Sequence, residues 1–283
     1  MFPLAYFQPV DYLVIGHLAC DLGQDHEFNL GGTAAYASLT ALSLGLRVGM
    51  VTSWGSEIPL GALEQIPKVN SPTEKSTRFE NLLTPNGRVQ FIHNIASPLG
   101  LNLIPDVWRN PPIVHLAPIA QEVDPSLARD FSSSFVGLTP QGWLRTWDRK
   151  GLIQRTEWPE ASFVLQRASA TVISLEDVEG DEKLIEEMAA SSRVLVVTEA
   201  DQGCRIYWNG DVRRIHPPLV NEVDPTGAGD VFAAAFFSRL YQTRDPWEAG
   251  RFAASLASFS VTRTGLESVP TPEEIQDCMI EVL

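Results

Sequence analysis

The 283-residue sequence predicts an α/β fold: one domain over residues 1–283, a mainly parallel sheet flanked by helices, and a small β-hairpin set apart from that sheet. Three observations predict it. Short apolar runs alternate with helix-like segments, residues 76–80 and 88–92 interrupt that rhythm with polar/apolar alternation, and no repeat, low-complexity tract or linker cuts the chain. At 44% hydrophobic and 20% charged, the composition is that of a chain able to bury a sizeable core.

Taken in order, residues 11–16 (Asp-Tyr-Leu-Val-Ile-Gly) form a short apolar run closed by glycine, the pattern of a strand buried on both faces. Gly31-Gly32-Thr33 then opens a run of Ala, Tyr, Ser and Leu long enough for a helix, with a C-cap expected at Gly45. Residues 47–52 read as a second strand, which completes a βαβ start. The hairpin follows, turning at Pro85-Asn86-Gly87 with one wet face, and such an insertion usually leaves the main sheet and covers something. The βα rhythm resumes with strands at 113–117, 135–139, 171–174 and 194–198 and a helix at 181–190. A second hairpin, 204–208 with 212–215 around Asn209-Gly210, precedes helices at 230–241 and 247–262 and a short one after Pro272.

Charge and cysteine content narrow the partners. With 21 Lys and Arg against 35 Asp and Glu, the net charge of −14 repels nucleic-acid phosphates and anionic lipid, so neither nucleic acid nor a membrane surface is an expected partner. Cys20, Cys204 and Cys278 are far apart and form no CxxC pair, which argues for a reducing, cytoplasmic setting. Residues 1–10 have no basic segment before an apolar core and contain Pro3 and Pro9, so no signal peptide is expected. The apolar stretch 34–50 is interrupted by Gly45 and Arg47 and is too short for a membrane span.

The most informative segment is Asp224-Pro-Thr-Gly227-Ala-Gly229-Asp230, followed at once by an apolar helix-forming run. Glycines just before a helix let backbone N–H groups converge on an anion at the positive end of the helix dipole. Read blandly, the same residues are a tight loop with Asp230 as a first-turn carboxylate. Other glycine loops fit less well: no Gly-Lys pair occurs for a Walker A loop, Phe232 stands where a Rossmann fingerprint wants glycine, and no nucleophile elbow is present. An anion-binding loop carrying its own carboxylate suits a base that deprotonates a hydroxyl beside a transferring phosphoryl group.

This segment resembles the D-T-x-G-A-G-D signature of the ribokinase-like, or PfkB, family of carbohydrate kinases, with Pro225 in place of a common Thr. The segment beginning Leu30-Gly31-Gly32 resembles the family's N-terminal signature, and residues 252–270 resemble its C-terminal segment. The resemblance implies a ribokinase-like fold in which the hairpin, within about 73–94, is a lid over the substrate. It implies ATP-dependent phosphorylation of a sugar or polyol hydroxyl with Mg²⁺. Asp230 then matches the catalytic base, and Gly227, Ala228 and Gly229 match the anion hole. Asp21, Gly31 and Gly32 match the acceptor site, with Phe79, Asn81, Arg88 and Gln90 as lid candidates. Thr198, Gly203, Thr226, Gly227, Gly229 and Ser255 match the nucleotide side, where Ala200 replaces a common glycine.

Two departures bear on substrate and metal. Tyr36 stands where sugar kinases of the family commonly carry Asn, and Ser174-Leu-Glu-Asp177 replaces an Asn-x-x-Glu motif, leaving Asp177 as the candidate Mg²⁺ residue through water. The Gly-Gly-Thr-Ala-Ala-Tyr variant, Phe79-Glu-Asn81 and Pro140-Gln-Gly-Trp-Leu-Arg145 resemble the myo-inositol-kinase-like branch. A nucleoside kinase and a catalytically silent ligand-binding protein on the same fold are the alternatives. Lid hairpins of the family often pair, which implies a homodimer through the lid.

Overall fold

A computed structural model describes residues 7–22, 28–84 and 87–282, the side chains of 28, 83, 84, 87, 88 and 280–282 excepted. In chain order the elements are β1 (Tyr12–Ile15), β2 (Ala19–Leu22), β3 (Phe28–Gly31), α1 (Thr33–Ser43), β4 (Val48–Thr52), β5 (Lys68–Asn70), β6 (Thr77–Thr84), β7 (Gly87–Asn94), β8 (Ile113–Leu116), α2 (Leu127–Asp130), β9 (Phe135–Leu138), β10 (Arg145–Trp147), β11 (Ile153–Arg155), α3 (Ala161–Leu165), β12 (Ala170–Ser174), α4 (Glu182–Ser191), β13 (Val194–Thr198), β14 (Cys204–Trp208), β15 (Asp211–Ile215), α5 (Ala228–Thr243), α6 (Pro246–Ser260) and α7 (Pro272–Val282). Among the described residues no helix is long and apolar enough to cross a membrane.

The main sheet has the order β15-β14-β13-β12-β9-β8-β1-β4-β5, parallel from β5 to β13 and closed by the antiparallel β14–β15 hairpin. β1 is central and apolar at every position because its side chains alternate between two cores. Tyr12 and Val14 pack with α1, α5 and α6, whereas Leu13 and Ile15 pack with Trp108, Leu127 and Val164 on the other face. After β1 the chain adds β4 and β5 on one side and then returns to add β8 on the other. The order therefore reverses beside β1, and in open parallel sheets the crevice at such a reversal, outside the strand C-termini, is where ligands bind.

Local signals hold where local physics decides. α1 ends in a Schellman turn at Gly45, whose N–H donates to the Leu42 carbonyl at 2.9 Å while Leu46 N–H donates to Ala41 at 3.2 Å. Asp181 caps α4 by accepting the Leu184 N–H at 3.1 Å. Asn209 and Gly210, at φ 52 and 83, make the turn between β14 and β15.

The lid is larger than the expected hairpin. β6 and β7 pair with each other, the turn expected at Pro85-Asn86 lying outside the described residues, and β2 joins β6 in parallel with β3 outside it, giving a four-stranded sheet of order β3-β2-β6-β7. β2 and β3 have four residues each, too few for alternation to stand out in a polar stretch. The lid's inner face is apolar at its root, where Ala19, Phe79 and Ile92 pack on Ile119 and Ala120. The short β10–β11 pair, also absent from the sequence reading, lies along the β7 edge through the Phe91–Leu152 bridge.

α5 is pressed onto the sheet at Gly137 of β9, where an added Cβ would come within 2.5 Å of the Phe237 ring. Gly137→Ala is expected to destabilise the fold by about 1–3 kcal/mol through overpacking, read as a lower chemical-denaturation midpoint. Phe237→Leu in the same chain should recover part of the loss. An unchanged midpoint in the single variant would mean that α5 is not seated by this contact.

Candidate active site

Two helix N-termini meet over the crevice. α1 begins after Gly32, and α5 begins after Gly227, which takes a left-handed φ of 82. A Cβ on Gly227 would lie 2.4 Å from the Tyr36 ring, so both the backbone conformation and the contact demand glycine there. Tyr36, the residue that departs from the family pattern, thus packs directly under the glycine turn. Burial first, and then the nearby Asp230, Asp21 and Asp224, push its phenol above the ordinary range, so it stays protonated.

Asp230 sits in the first turn of α5, partly buried, and its carboxylate is hydrogen-bonded by the Thr33 hydroxyl at the start of α1. Desolvation raises its pKa to about 7; the Thr33 bond opposes the rise, Asp177 and Asp21 add to it, and Arg145 opposes it. A carboxylate poised near neutrality can accept a proton from a hydroxyl and release it again. In the glycine turn, the Ala228 N–H donates to Pro225 at 3.2 Å, and those of Asp230 and Val231 donate to Gly227 at 3.0 and 2.9 Å. Of the three residues matched to an anion hole, Ala228 therefore has its N–H engaged by the turn itself. Nothing lies within 4 Å of the position a Gly229 Cβ would take, so that side of the helix start is open.

Across the crevice, the inner lid face carries a polar row beyond its apolar root. Asp21 of β2 is in register with Phe79 of β6, and Asn81 is directly opposite Gln90 of β7. Asn81 Nδ2 donates to Asp21 Oδ1 at 3.4 Å, Gln90 Nε2 donates to Asn81 Oδ1 at 2.6 Å, and Arg145 Nη2 donates to Gln90 Oε1 at 3.1 Å. Gly31 makes room for this row, because a Cβ there would lie 2.6 Å from Asp21 Oδ2. Arg88 is on β7, but its side chain lies outside the described residues. Arg145, Thr33 and Gln141 were not among the sequence-derived site residues. All three lie in segments that the sequence reading singled out, Thr33 in the Gly-Gly-Thr-Ala-Ala-Tyr run and Gln141 and Arg145 in the 140–145 segment, but none was given a role there.

On the other side of Asp230, Thr198 ends β13 with its hydroxyl donating to Ile173 at 3.3 Å, and the turn that follows runs through Ala200 at φ 50 to Gly203 at φ 90. Asp224 braces the loop before α5: Oδ1 accepts the Thr226 N–H at 3.0 Å and Oδ2 accepts the Gly265 N–H at 3.3 Å. Ser255 is partly buried on α6.

Asp177 also serves the turn after β12. Its Oδ2 accepts the Ser174 N–H at 2.9 Å, its own N–H donates to Ser174 Oγ at 3.0 Å, and its Oδ1 accepts from Gln141 Nε2 at 3.0 Å. Among the described residues no group of three or more His, Cys, Asp or Glu could cage a metal ion. One carboxylate with spare lone pairs fits an ion that keeps its waters, as Mg²⁺ does, and does not fit a directly ligated one. Two surface clefts, of about 700 and 420 Å³, lie apart from all these groups, one lined by Lys75, Asn94 and Ser97 and the other by His93, Trp147 and Lys150.

The chain is similar in sequence and fold to known kinases. Residues 156–274 match the pfkB family of carbohydrate kinases. A cytidine kinase of Thermococcus kodakarensis is 25% identical over 247 residues, 81% of this chain and 88% of that protein. An inositol 3-kinase of Oryza sativa subsp. japonica is 39% identical over 77 residues, 27% of this chain and 19% of that protein. A sulfate complex of a pyrophosphate-dependent kinase in the ribokinase family has the same fold, with a TM-score of 0.80 at 18% identity over 94% of this chain and 99% of that one. With the sheet order and this structural similarity together, the chain has the ribokinase-like fold, and its residues 156–274 are similar to the pfkB family of carbohydrate kinases.

Proposed function

We propose that the protein transfers the terminal phosphoryl group of ATP to a hydroxyl of a sugar or cyclic polyol, with Asp230 as the base. The observation that carries this reading is a carboxylate of pKa about 7 at the start of α5, set behind Gly227-Ala228-Gly229 and facing the polar lid row. An acceptor in the crevice would give hydroxyl protons to Asp21 and take hydrogen bonds from the amides of Asn81 and Gln90, a mixed donor and acceptor lining that suits adjacent hydroxyls. Asp230 takes the proton of the reacting hydroxyl, the freed oxygen bonds to phosphorus, and the bond to the departing ADP oxygen breaks. The open N-terminus of α5 at Gly227 and Gly229 stabilises the charge on the transferred group. On the donor side, Thr198, Gly203, Thr226 and Ser255 line the path to the nucleotide.

When bound, Mg²⁺ neutralises charge on the donor phosphates. Asp177 would hold the hydrated ion from its outer sphere. The similarity to inositol 3-kinase and to cytidine kinase supports a panel of myo-inositol and cytidine as acceptors, with D-fructose beside them as a simple sugar, and the pyrophosphate-dependent neighbour supports testing pyrophosphate beside Mg-ATP as donor.

In that panel, turnover of a polyol or sugar with ATP supports the proposal, turnover of cytidine alone replaces it with a nucleoside kinase, and turnover with pyrophosphate alone changes the donor. Asp230→Asn should lower kcat by roughly 10² or more with donor affinity retained. Because the base works only when ionised, kcat/KM should fall as pH drops through about 7. That limb should flatten in Asp230→Asn; a variant with wild-type turnover removes Asp230 from the chemistry.

Two further outcomes probe the flanks. Asp21→Ala should weaken acceptor binding by about 1.5–3 kcal/mol with donor binding unchanged, measured by titration calorimetry with each ligand. Equal losses for both ligands would make Asp21 structural. Asp177→Asn should raise the free Mg²⁺ needed for half-maximal rate, and an unchanged magnesium curve would leave Asp177 as a turn-former only.

A further inference from the structure

The segment from the end of β9 to the first residue of β10 reaches the crevice from a side that neither glycine motif occupies. Its Gln141 donates to Asp177, and four residues later its Arg145 donates to Gln90 and lies 6.0 Å from the Phe79 ring centroid. Arg145 therefore rests against the inner lid face where the apolar root gives way to the polar row. Through Gln90 and Asn81 its guanidinium is linked to Asp21, two strands away.

The charges around Asp230 come from several elements: Asp21 from β2, Asp177 from the turn after β12, and Asp224, which acts on Tyr36, from the loop before α5. Thr33 and Tyr36 of α1 supply neutral partners. Arg145 is the cation in the set that acts on Asp230. A cation joined to a lid side chain by a directed hydrogen bond and also facing the acids of the crevice floor has two tasks that one residue can couple.

We propose that Arg145 is a positioning residue that ties the lid to the crevice floor: it holds Gln90, and with it the Asn81–Asp21 row, in place for the acceptor, and it offsets the negative charge gathered around Asp230. The proposal rests on the kinase reading above for its acceptor, but the charge it assigns to Arg145 is measurable without turnover. It also gives the 140–145 segment a task outside the glycine motifs. Lysine in its place would keep the charge and lose the planar, multi-donor grip on the lid, which separates the two tasks.

The test is a carboxyl-¹³C NMR titration of Asp230, assigned with Asp230→Asn, in the ligand-free full-length wild type, Arg145→Ala, Arg145→Lys and Gln90→Leu. Arg145→Ala should raise the Asp230 midpoint by roughly one pH unit, while Arg145→Lys and Gln90→Leu should stay near wild type. With whichever acceptor of the panel the wild type phosphorylates, Arg145→Ala should lose activity at pH 7 and recover part of it at higher pH. Arg145→Lys should keep the wild-type pH limb but raise the acceptor KM several-fold, and Gln90→Leu should raise KM likewise. An unmoved Asp230 midpoint in folded Arg145→Ala overturns the proposal. If that variant does not fold, a wild-type acceptor KM in both Arg145→Lys and Gln90→Leu overturns it instead. A shifted midpoint without turnover of any acceptor counts against the kinase reading alone, and turnover with an unshifted midpoint counts against the role of Arg145 alone.

Discussion

The seating of the α5 N-terminus against α1 is the constraint on which the crevice depends. The left-handed turn at Gly227 can close against α1 only because glycine has no side chain to meet the Tyr36 ring, and that closure brings Thr33 within hydrogen-bonding reach of Asp230. α5 is in turn held on the sheet by Phe237, which packs against Gly137 and sits edge-on to His115 at 5.0 Å. His115 is buried and neutral, its pKa pushed down to about 3 by desolvation; its Nδ1 is hydrogen-bonded to the Tyr12 hydroxyl at 3.1 Å and its Nε2 to the Thr139 hydroxyl at 2.9 Å. The helix that carries Asp230 thus rests on a core in which Tyr12, His115 and Thr139 satisfy one another.

Electrostatics work against this arrangement unless burial and partners are arranged with it. The chain carries a net charge of −14, and Asp21, Asp177 and Asp230 converge on one crevice. Crowding acids with partial desolvation raises the proton affinity of the most enclosed one, here Asp230, into the range where proton transfer at neutral pH is efficient. Asp177, whose two oxygens accept from Ser174 and Gln141, is held by its own turn. The same chemistry, three carboxylates, is thus set in three different environments.

The lid joins the body through a buried polar hinge. His17, between β1 and β2, makes 2.7 Å and 2.8 Å contacts to Thr77 Oγ1 and the Ser97 carbonyl, at the two ends of the β6–β7 hairpin. Its backbone N–H donates to Glu122, whose carboxylate also accepts from the Ile119 and Ala120 N–H groups. A buried carboxylate held by several backbone donors costs little only while all of them are in place, so this joint favours one geometry over a range of them. That fixes how the lid row faces Asp230.

How much of this was legible in the sequence follows the range of the forces involved. The ends of α1, the cap of α4, the β14–β15 turn and the glycine entry to α5 are set by neighbouring residues, so composition and spacing along the chain were enough to locate them. The place of Asp230 in the first turn of α5 was legible for the same reason, whereas its role as a base came from the family resemblance. The strands β2, β3, β10 and β11 were not, because short polar segments become strands only when a partner supplies their hydrogen bonds. The 140–145 segment stood out, but the contact of Arg145 was not legible, since nothing within the segment says that it meets Gln90, 55 positions earlier in the chain. The sequence by itself determined the sheet, the two glycine-led helices and the carboxylate that one of them carries. Only the tertiary structure decided which distant side chains share the crevice with that carboxylate, because register, sheet order and desolvation are properties of the packed chain and of no segment within it.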